Sequence, residues 1–138
     1  MAHLLFLKQH LCERGELTVF EQILPGSLKR IYYIANADGA MRGGHRHQRA
    51  WQALVCIQGR VDVRVETAKQ TQCYSLDKPN LCLILEPDDW HLLENFQDLA
   101  IVLVISNEYY DEKDYIYECH SADPIKALQK DSVSAGIV

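Results

Sequence analysis

A succession of short β-forming stretches, each closed by Gly, Pro, Asn or Asp, constrains this chain more than any other feature. Residues 60–66, RVDVRVE, alternate apolar and polar side chains without a break. Side chains two positions apart share one face of a strand, so this stretch is a strand with one dry and one wet face. Residues 29–35, KRIYYIA, carry the aromatic and β-branched groups that suit a pleated surface. Further strands are expected over 4–8, 17–24, 51–58, 73–76, 81–86, 90–94 and 99–106, with a histidine-bearing strand ahead of Trp51. Turn residues separate them, among them Gly15, Pro25-Gly26, Asn36-Ala37-Asp38-Gly39 and Asp77-Lys78-Pro79-Asn80. No long helical pattern interrupts the series. Strands at this spacing predict an all-β antiparallel sandwich or barrel. Residues 1–120 are read as that domain, with a loop and one helical turn or a last short strand over 107–118. Residues 121–138 are polar and small, and are expected to form a C-terminal tail with a short helix.

Composition narrows the function classes. A chain of 138 residues suits one core. A net charge of −5 argues against a nucleic-acid surface, although a local cationic pocket for phosphate is compatible with it. The five cysteines, Cys12, Cys56, Cys73, Cys82 and Cys119, are odd in number and lack CxxC spacing. They read as buried free thiols in a reducing compartment. The first residues lack a basic n-region and a small-residue cleavage site, and no apolar run is long enough to span a membrane. A cytoplasmic protein with no membrane or nucleic-acid partner is expected.

Chemistry concentrates between Gly39 and Gly59. His45 and His47 are two residues apart, so on a strand both imidazoles project from one face. Arg42 precedes them and Gln52 follows. A second cluster, Glu86-Pro87-Asp88-Asp89-Trp90-His91, offers a third imidazole, which either joins the site or lines its wall. A group with a pKa near neutrality is the right tool for moving protons next to a carbonyl. Three imidazoles could equally hold a divalent transition metal.

The spacing resembles two known motifs. Gly39, five residues, His45-x-His47, four residues, Gln52, six residues and Gly59 are similar to the first cupin motif, with Gln52 where metal-binding cupins carry Glu. Asn80, Glu86, Asp88, His91 and Asn95 resemble the second, with Asn80 and Asp88 at its Gly positions, where Asn and Asp best tolerate left-handed backbone. The resemblance implies a cupin jelly-roll β-barrel with the imidazoles facing its mouth. The segments KRIYYI, RGGHRH, QALVCIQG, EPDDWH and ISNEYYDEKDYI, with RGEL at 14–17, resemble the sugar 3,4-ketoisomerases over residues 4–117. These are cupins acting on dTDP-4-keto-6-deoxyglucose.

That resemblance implies a homodimer working without a metal or other cofactor. The ketone would move from C4 to C3 through an enediol, with His45 as the base at carbon and His47 as its partner. Tyr33 is expected as a third catalytic group, since the family carries a Tyr on the strand before the histidines; of Tyr32 and Tyr33 only one can point inward. Arg14, Arg30 and Arg42 are candidates for the pyrophosphate, Trp90 or Tyr110 for stacking on thymine, and Gln52 and His91 for the pocket wall. Arg46 should face away from the histidines. The charged run from Asp111 to Asp114 reads as a solvated loop. Tyr109, Tyr110, Tyr115 and Tyr117 read as packing or a subunit seam, and the apolar LAIVLVIS at 99–106 as a strand buried on both faces or at an interface. Two alternatives stand beside the isomerase: a dioxygenase-type metal cupin using His45, His47 and His91, and a non-catalytic cupin that binds a sugar nucleotide.

Overall fold

The computed structural model describes residues 1–120; the tail expected at 121–138 lies outside the described residues. Its strands in chain order are β1 (His3–Phe6), β2 (Lys8–Cys12), β3 (Gly15–Val19), β4 (Arg30–Ile34), β5 (Arg42–His47), β6 (Gln52–Glu66), β7 (Thr71–Leu76), β8 (Leu81–Leu85), β9 (Trp90–Ser106) and β10 (Tyr115–Ile116). A single 3-10 turn, Glu112–Asp114, precedes β10. All pairings are antiparallel.

Two long strands organise the rest. β6 and β9 pair along their lengths, from Gln52 opposite Ser106 to Glu66 opposite Trp90. The sequence pattern suggests two strands in each place, because Gly59 and the Asn95–Leu99 region look like turns. Instead each chain runs on, and the register shifts between Cys56 and Asp62 as both strands bend together. Gly59 adopts φ +72°, and opposite it Asn95, Asp98 and Leu99 all take positive φ. Asp38 holds that strained stretch by accepting from Leu99 N (2.9 Å) and Ala100 N (3.1 Å). A bulge of this kind bends a strand without ending it.

The bend divides the strands into two halves. Before it, β6 pairs with β8, and the end of β9 pairs with β4; β1 lies outside β8. Beyond it, β6 pairs with β7, and the start of β9 pairs with β5, which carries β10. One apolar cluster draws on both halves: Leu54, Val61, Val63, Val65, Leu83, Leu85, Leu93, Phe96, Val102 and Val104. This is a two-layered jelly roll.

A second cluster covers the outer face of the first half. Ala53, Val55, Cys82, Ile84 and Ile105 pack beneath Phe20, Ile23 and Leu24. That contact corrects the strand expected over 17–24, which ends at Val19. Residues 20–24 are β-forming by composition, but Gln22 takes φ +52° and the side chains turn down to cover the sheet; packing overrides propensity here. It also accounts for LAIVLVIS, which lies between β6 and β4 and is apolar because it contributes to both clusters. The cysteines are all free; Cys56 and Cys82 are buried as expected, but Cys12 and Cys73 are exposed. Among the two cupin Gly positions, Asp88 does adopt positive φ, whereas Asn80 does not. No helix among the described residues is long and apolar enough to cross a membrane.

The Gly59 bend gives a direct test. A Cβ there would overlap the Gln97 carbonyl oxygen and lie 2.8 Å from the Asp98 oxygen and 2.9 Å from Ala100 Cα, all backbone atoms that cannot swing aside. At Gly26, with the same φ of +72°, nothing lies within 4 Å. Gly26→Ala should cost roughly 1 kcal/mol, from backbone strain alone. Gly59→Ala should cost at least about 3 kcal/mol or prevent folding. Urea titration of both variants checks this, and equal losses would contradict it.

Candidate active site

The site lies where β5, β9, β6 and β4 come together. Gly43 and Gly44 take φ +90° and +75°, and the β5–β9 register shifts between Gly43 and His45. A Cβ on Gly43 would sit 3.1 Å from the His91 carbonyl oxygen, so glycine lets the two strands approach closely. His45 then pairs directly with His91. His45 and His47 are both buried and inward, as their spacing predicts. Arg46 faces out and bonds Asp88 at 2.8 Å, while Asp88 N donates to the His47 carbonyl at 2.8 Å.

The three imidazoles form one cluster. Ring centroids are 5.0 Å apart for His45 and His47, 4.7 Å for His45 and His91, and 6.0 Å for His47 and His91. One nitrogen from each lies within 4.8 Å of the others. Such a set could hold a divalent transition-metal ion, and the second ring nitrogens of two of them already have orienting acceptors. His91 Nδ1 donates to the Asp89 carbonyl at 3.1 Å. His47 Nδ1 meets Asp114 Oδ2 at 3.0 Å. Tyr115 of β10 rests against His45 and His47, at 4.6 and 4.5 Å between centroids.

Beside the cluster is a tight recess lined by Tyr32, Arg42, Gly43, His45, Gln52 and His91, with Ile34, Leu54, Leu93 and Val104 as its apolar walls. Arg30 stands near its rim. Its guanidinium lies over the Tyr32 ring at 4.4 Å and the Tyr110 ring at 5.2 Å, and donates to the Tyr115 hydroxyl at 3.3 Å. Arg42 Nε is buried with no hydrogen-bond partner among the described residues.

Burial sets the protonation states. It pushes His91 down to about 3, with the neighbouring His47 adding to the effect. Burial and the charges of His91 and His47 hold His45 well below the ordinary histidine value. His47 is lowered too by burial, but Asp114 works in the opposite direction. Burial raises Tyr32 and Tyr115, keeping both phenols protonated. The chemistry available is therefore a set of neutral imidazoles and phenol donors beside two guanidinium groups.

Of the residues anticipated from sequence, His45, His47, His91, Gln52, Arg30 and Arg42 come together here, with Tyr110 at the rim. Three do not. Tyr33 lies on the outer face of β4, 69% exposed, and its neighbour Tyr32 faces the recess. Strand alternation allows only one of the pair inside, and the register with β9 selects Tyr32. Trp90 is fully buried on the opposite face of β9 from His91, against Leu92, and donates to the Tyr117 carbonyl at 3.2 Å, so it is not free to stack on a base. Arg14 sits exposed in the β2–β3 turn, outside the recess lining. Asp114, inside a run that reads as a solvated loop, is instead buried beneath His47. Tyr115, read as packing or a seam, lies over the histidines. The pairing of β10 with β5, Tyr115 opposite His47, puts both residues there; the sequence hint was the YYDEKDYI run itself.

A two-layered jelly roll whose bent strands gather three imidazoles at one end places the protein among the cupins. Comparison with known proteins resolves the class further. A family model described as "FdtA: WxcM-like, C-terminal" matches residues 2–123, and the chain belongs to that family. A TDP-4-oxo-6-deoxy-alpha-D-glucose-3,4-oxoisomerase of Aneurinibacillus thermoaerophilus is 36% identical over 112 residues, covering 79% of this chain and 81% of that protein. Among solved structures, a double variant of the QdtA 3,4-ketoisomerase from Thermoanaerobacterium thermosaccharolyticum in complex with TDP superposes with a TM-score of 0.81 at 35% identity, covering 85% of this chain and 87% of that one. A His-to-Asn variant of QdtA, in complex with TDP-4-keto-6-deoxyglucose, gives 0.81 at 29% identity, with 98% and 95% covered.

Buried neutral histidines make stability depend on acid. Above the unfolded histidine pKa of about 6.5, both states are neutral and nothing is lost. Below it the unfolded chain takes up protons that the folded site refuses, so stability falls as pH drops from about 6.5 toward the folded value. For His91 this window reaches down to about 3. Each such ring should remove about 1.4 kcal/mol per pH unit. Urea midpoints measured between pH 8 and pH 4 should fall steeply below pH 6.5, less so in His91→Gln. A flat profile would mean that these rings are not held neutral.

Proposed function

We propose that the chain is a sugar-nucleotide 3,4-ketoisomerase that moves the ketone of dTDP-4-keto-6-deoxyglucose, or a close relative of it, from C4 to C3. The observation that carries this reading is the cluster of three buried imidazoles, held below the ordinary histidine pKa by burial, of which His45 and His91 line a recess shared with Arg42 and Tyr32, the latter beneath the Arg30 guanidinium, in a chain of the ketoisomerase family. The proton at C3 is acidified by the C4 carbonyl. A neutral imidazole removes it; the C–H electrons form the C3=C4 bond and the carbonyl electrons move to O4, giving an enediolate. The O3 proton passes to O4, C4 receives a proton, and the ketone remains at C3. Atoms and charge balance without any redox partner.

His45 and His47 divide the carbon and oxygen proton transfers between them. Arg30 and Arg42 supply the guanidinium groups for the pyrophosphate, Tyr110 offers its exposed ring to thymine, and Gln52 and His91 line the sugar pocket. A second reading follows from the same cluster: the three converging nitrogens suit a divalent metal, and a metal cupin would use them as ligands.

Incubating protein of measured metal content with dTDP-4-keto-6-deoxyglucose, with NMR readout of the ketone position in D2O, tests both. Conversion to the 3-keto sugar with deuterium incorporation, insensitive to chelator, is expected. His45→Ala and His47→Ala should each lower kcat by roughly 10²-fold or more while keeping the fold. Binding of TDP without any exchange would point to a non-catalytic module, and chelator-sensitive activity to the metal reading.

We also infer that the protein works in the cytoplasm as a homodimer. The β2–β3 hairpin pairs only with itself among the described residues and leaves Leu11 and Leu17 exposed; Phe6, Ile31 and Tyr33 are also exposed. An isolated two-stranded hairpin is marginal in water, and a second copy would cover it. Sedimentation should give a dimer, and a Leu11→Glu, Leu17→Glu double variant should shift it to monomer. A monomeric parent protein at micromolar concentration would rule the dimer out.

A further inference from the structure

Asp114 is an unusual carboxylate for a run of charges at the protein surface. Asp111, Glu112 and Lys113 are partly or fully exposed, whereas Asp114 is 2% exposed. A buried carboxylate needs donors, and this one has three. Oδ1 accepts from Arg49 N at 2.8 Å, and Oδ2 accepts from Ala50 N at 3.3 Å and from His47 Nδ1 at 3.0 Å. Its backbone is held as well: Asp114 N donates to the Asp111 carbonyl, and Gln48 N donates to the Asp114 carbonyl, both at 3.0 Å. The side chain therefore cannot turn away from the ring. Arg49, its charged neighbour, is engaged with Asp111 instead.

We propose that Asp114 is a positioning residue for the isomerase reaction: by accepting the Nδ1–H of His47 it leaves Nε2 as that ring's only proton acceptor, and it supports the imidazolium that forms when Nε2 takes a proton. An ionised carboxylate can only accept hydrogen bonds, so the proton on a neutral His47 must sit on Nδ1. Nε2 is buried with no hydrogen-bond partner among the described residues, and the Tyr115 ring packs against the imidazole. The other two histidines differ. His91 meets a neutral carbonyl at Asp89, which orients the ring without an opposing charge. His45 has no hydrogen-bond partner of normal length at either nitrogen among the described residues. Of the three rings, His47 alone is backed by a carboxylate among the described residues, so it is the ring whose imidazolium is supported while it holds a proton. This rests on the ketoisomerase reading and adds a residue which that reading does not require.

The test uses the full chain. In the unmodified protein, ¹⁵N NMR of the histidine rings, assigned by the signals lost in His47→Asn, should show His47 protonated at Nδ1 and bare at Nε2. Protonation at Nε2 instead would overturn the proposal whatever any variant does, and whether or not the ketoisomerase reading holds. In Asp114→Asn the amide cannot accept from His47, Ala50 and Arg49 together, and the ring loses its enforced tautomer. By analogy with the corresponding substitution in serine proteases, kcat should fall by roughly 10²- to 10⁴-fold. KM for the sugar nucleotide and the affinity for TDP should stay within about threefold, since Asp114 is buried behind His47 and does not line the recess. A kcat within threefold of the parent would sink the proposal, as would a loss that appears equally in TDP affinity, which marks a merely structural role. If the parent protein itself converts no substrate, the ketoisomerase reading fails, and the NMR arm still decides the tautomer.

Discussion

The ladder between β6 and β9 is the constraint on which the molecule depends. Each strand serves both halves of the bent sheet, and the shared bend at Gly59 turns one half of the pair over the other. The core forms because that turn brings Leu54 and Val104 into the same cluster as Val63 and Leu93. The burial of those side chains favours the fold by the usual tens of cal/mol per Å² of apolar surface, but the gain exists only if the strands bend where they do. Glycine at 59 and the left-handed backbone at Asn95, Asp98 and Leu99 are the local strain that this geometry requires.

The same ladder builds the site. The other edge of β9 pairs with β5, setting His91 opposite His45, and Gly43 on β5 allows the close approach that places three imidazoles within contact of one another. Desolvation then does chemical work. Rings crowded together and cut off from water stay neutral well below the usual pH, so they remain proton acceptors. The pressure against protonation is unequal, because Asp114 offsets burial at His47 alone. Environments that push otherwise identical groups apart are what acid–base catalysis requires.

Much of this was legible in the sequence. Alternation in RVDVRVE, the turn residues between strands, and the same-face spacing of His45 and His47 follow from strand geometry, which is local. So does the outward direction of Arg46. The limits of local reasoning are equally specific. Gly59 looked like the end of a strand and is a bend inside one. Residues 20–24 have the composition of a strand and instead cover a sheet. Tyr32 and Tyr33 are equivalent by propensity, and the one taken for the site faces out. Trp90, adjacent to His91, falls on the other side of the sheet for the same reason.

What the amino-acid order settled by itself is the class of fold and the identity of the central imidazoles, because period-two alternation and short spacings are encoded within a few residues. Which face each strand turns inward was settled by pairing with partners dozens of residues away, and a one-residue change of register would reverse it. Asp114 shows the difference most plainly: beside Asp111 in the chain it reads as one more solvated charge, and only the docking of β10 against β5 buries it under a histidine 67 residues distant.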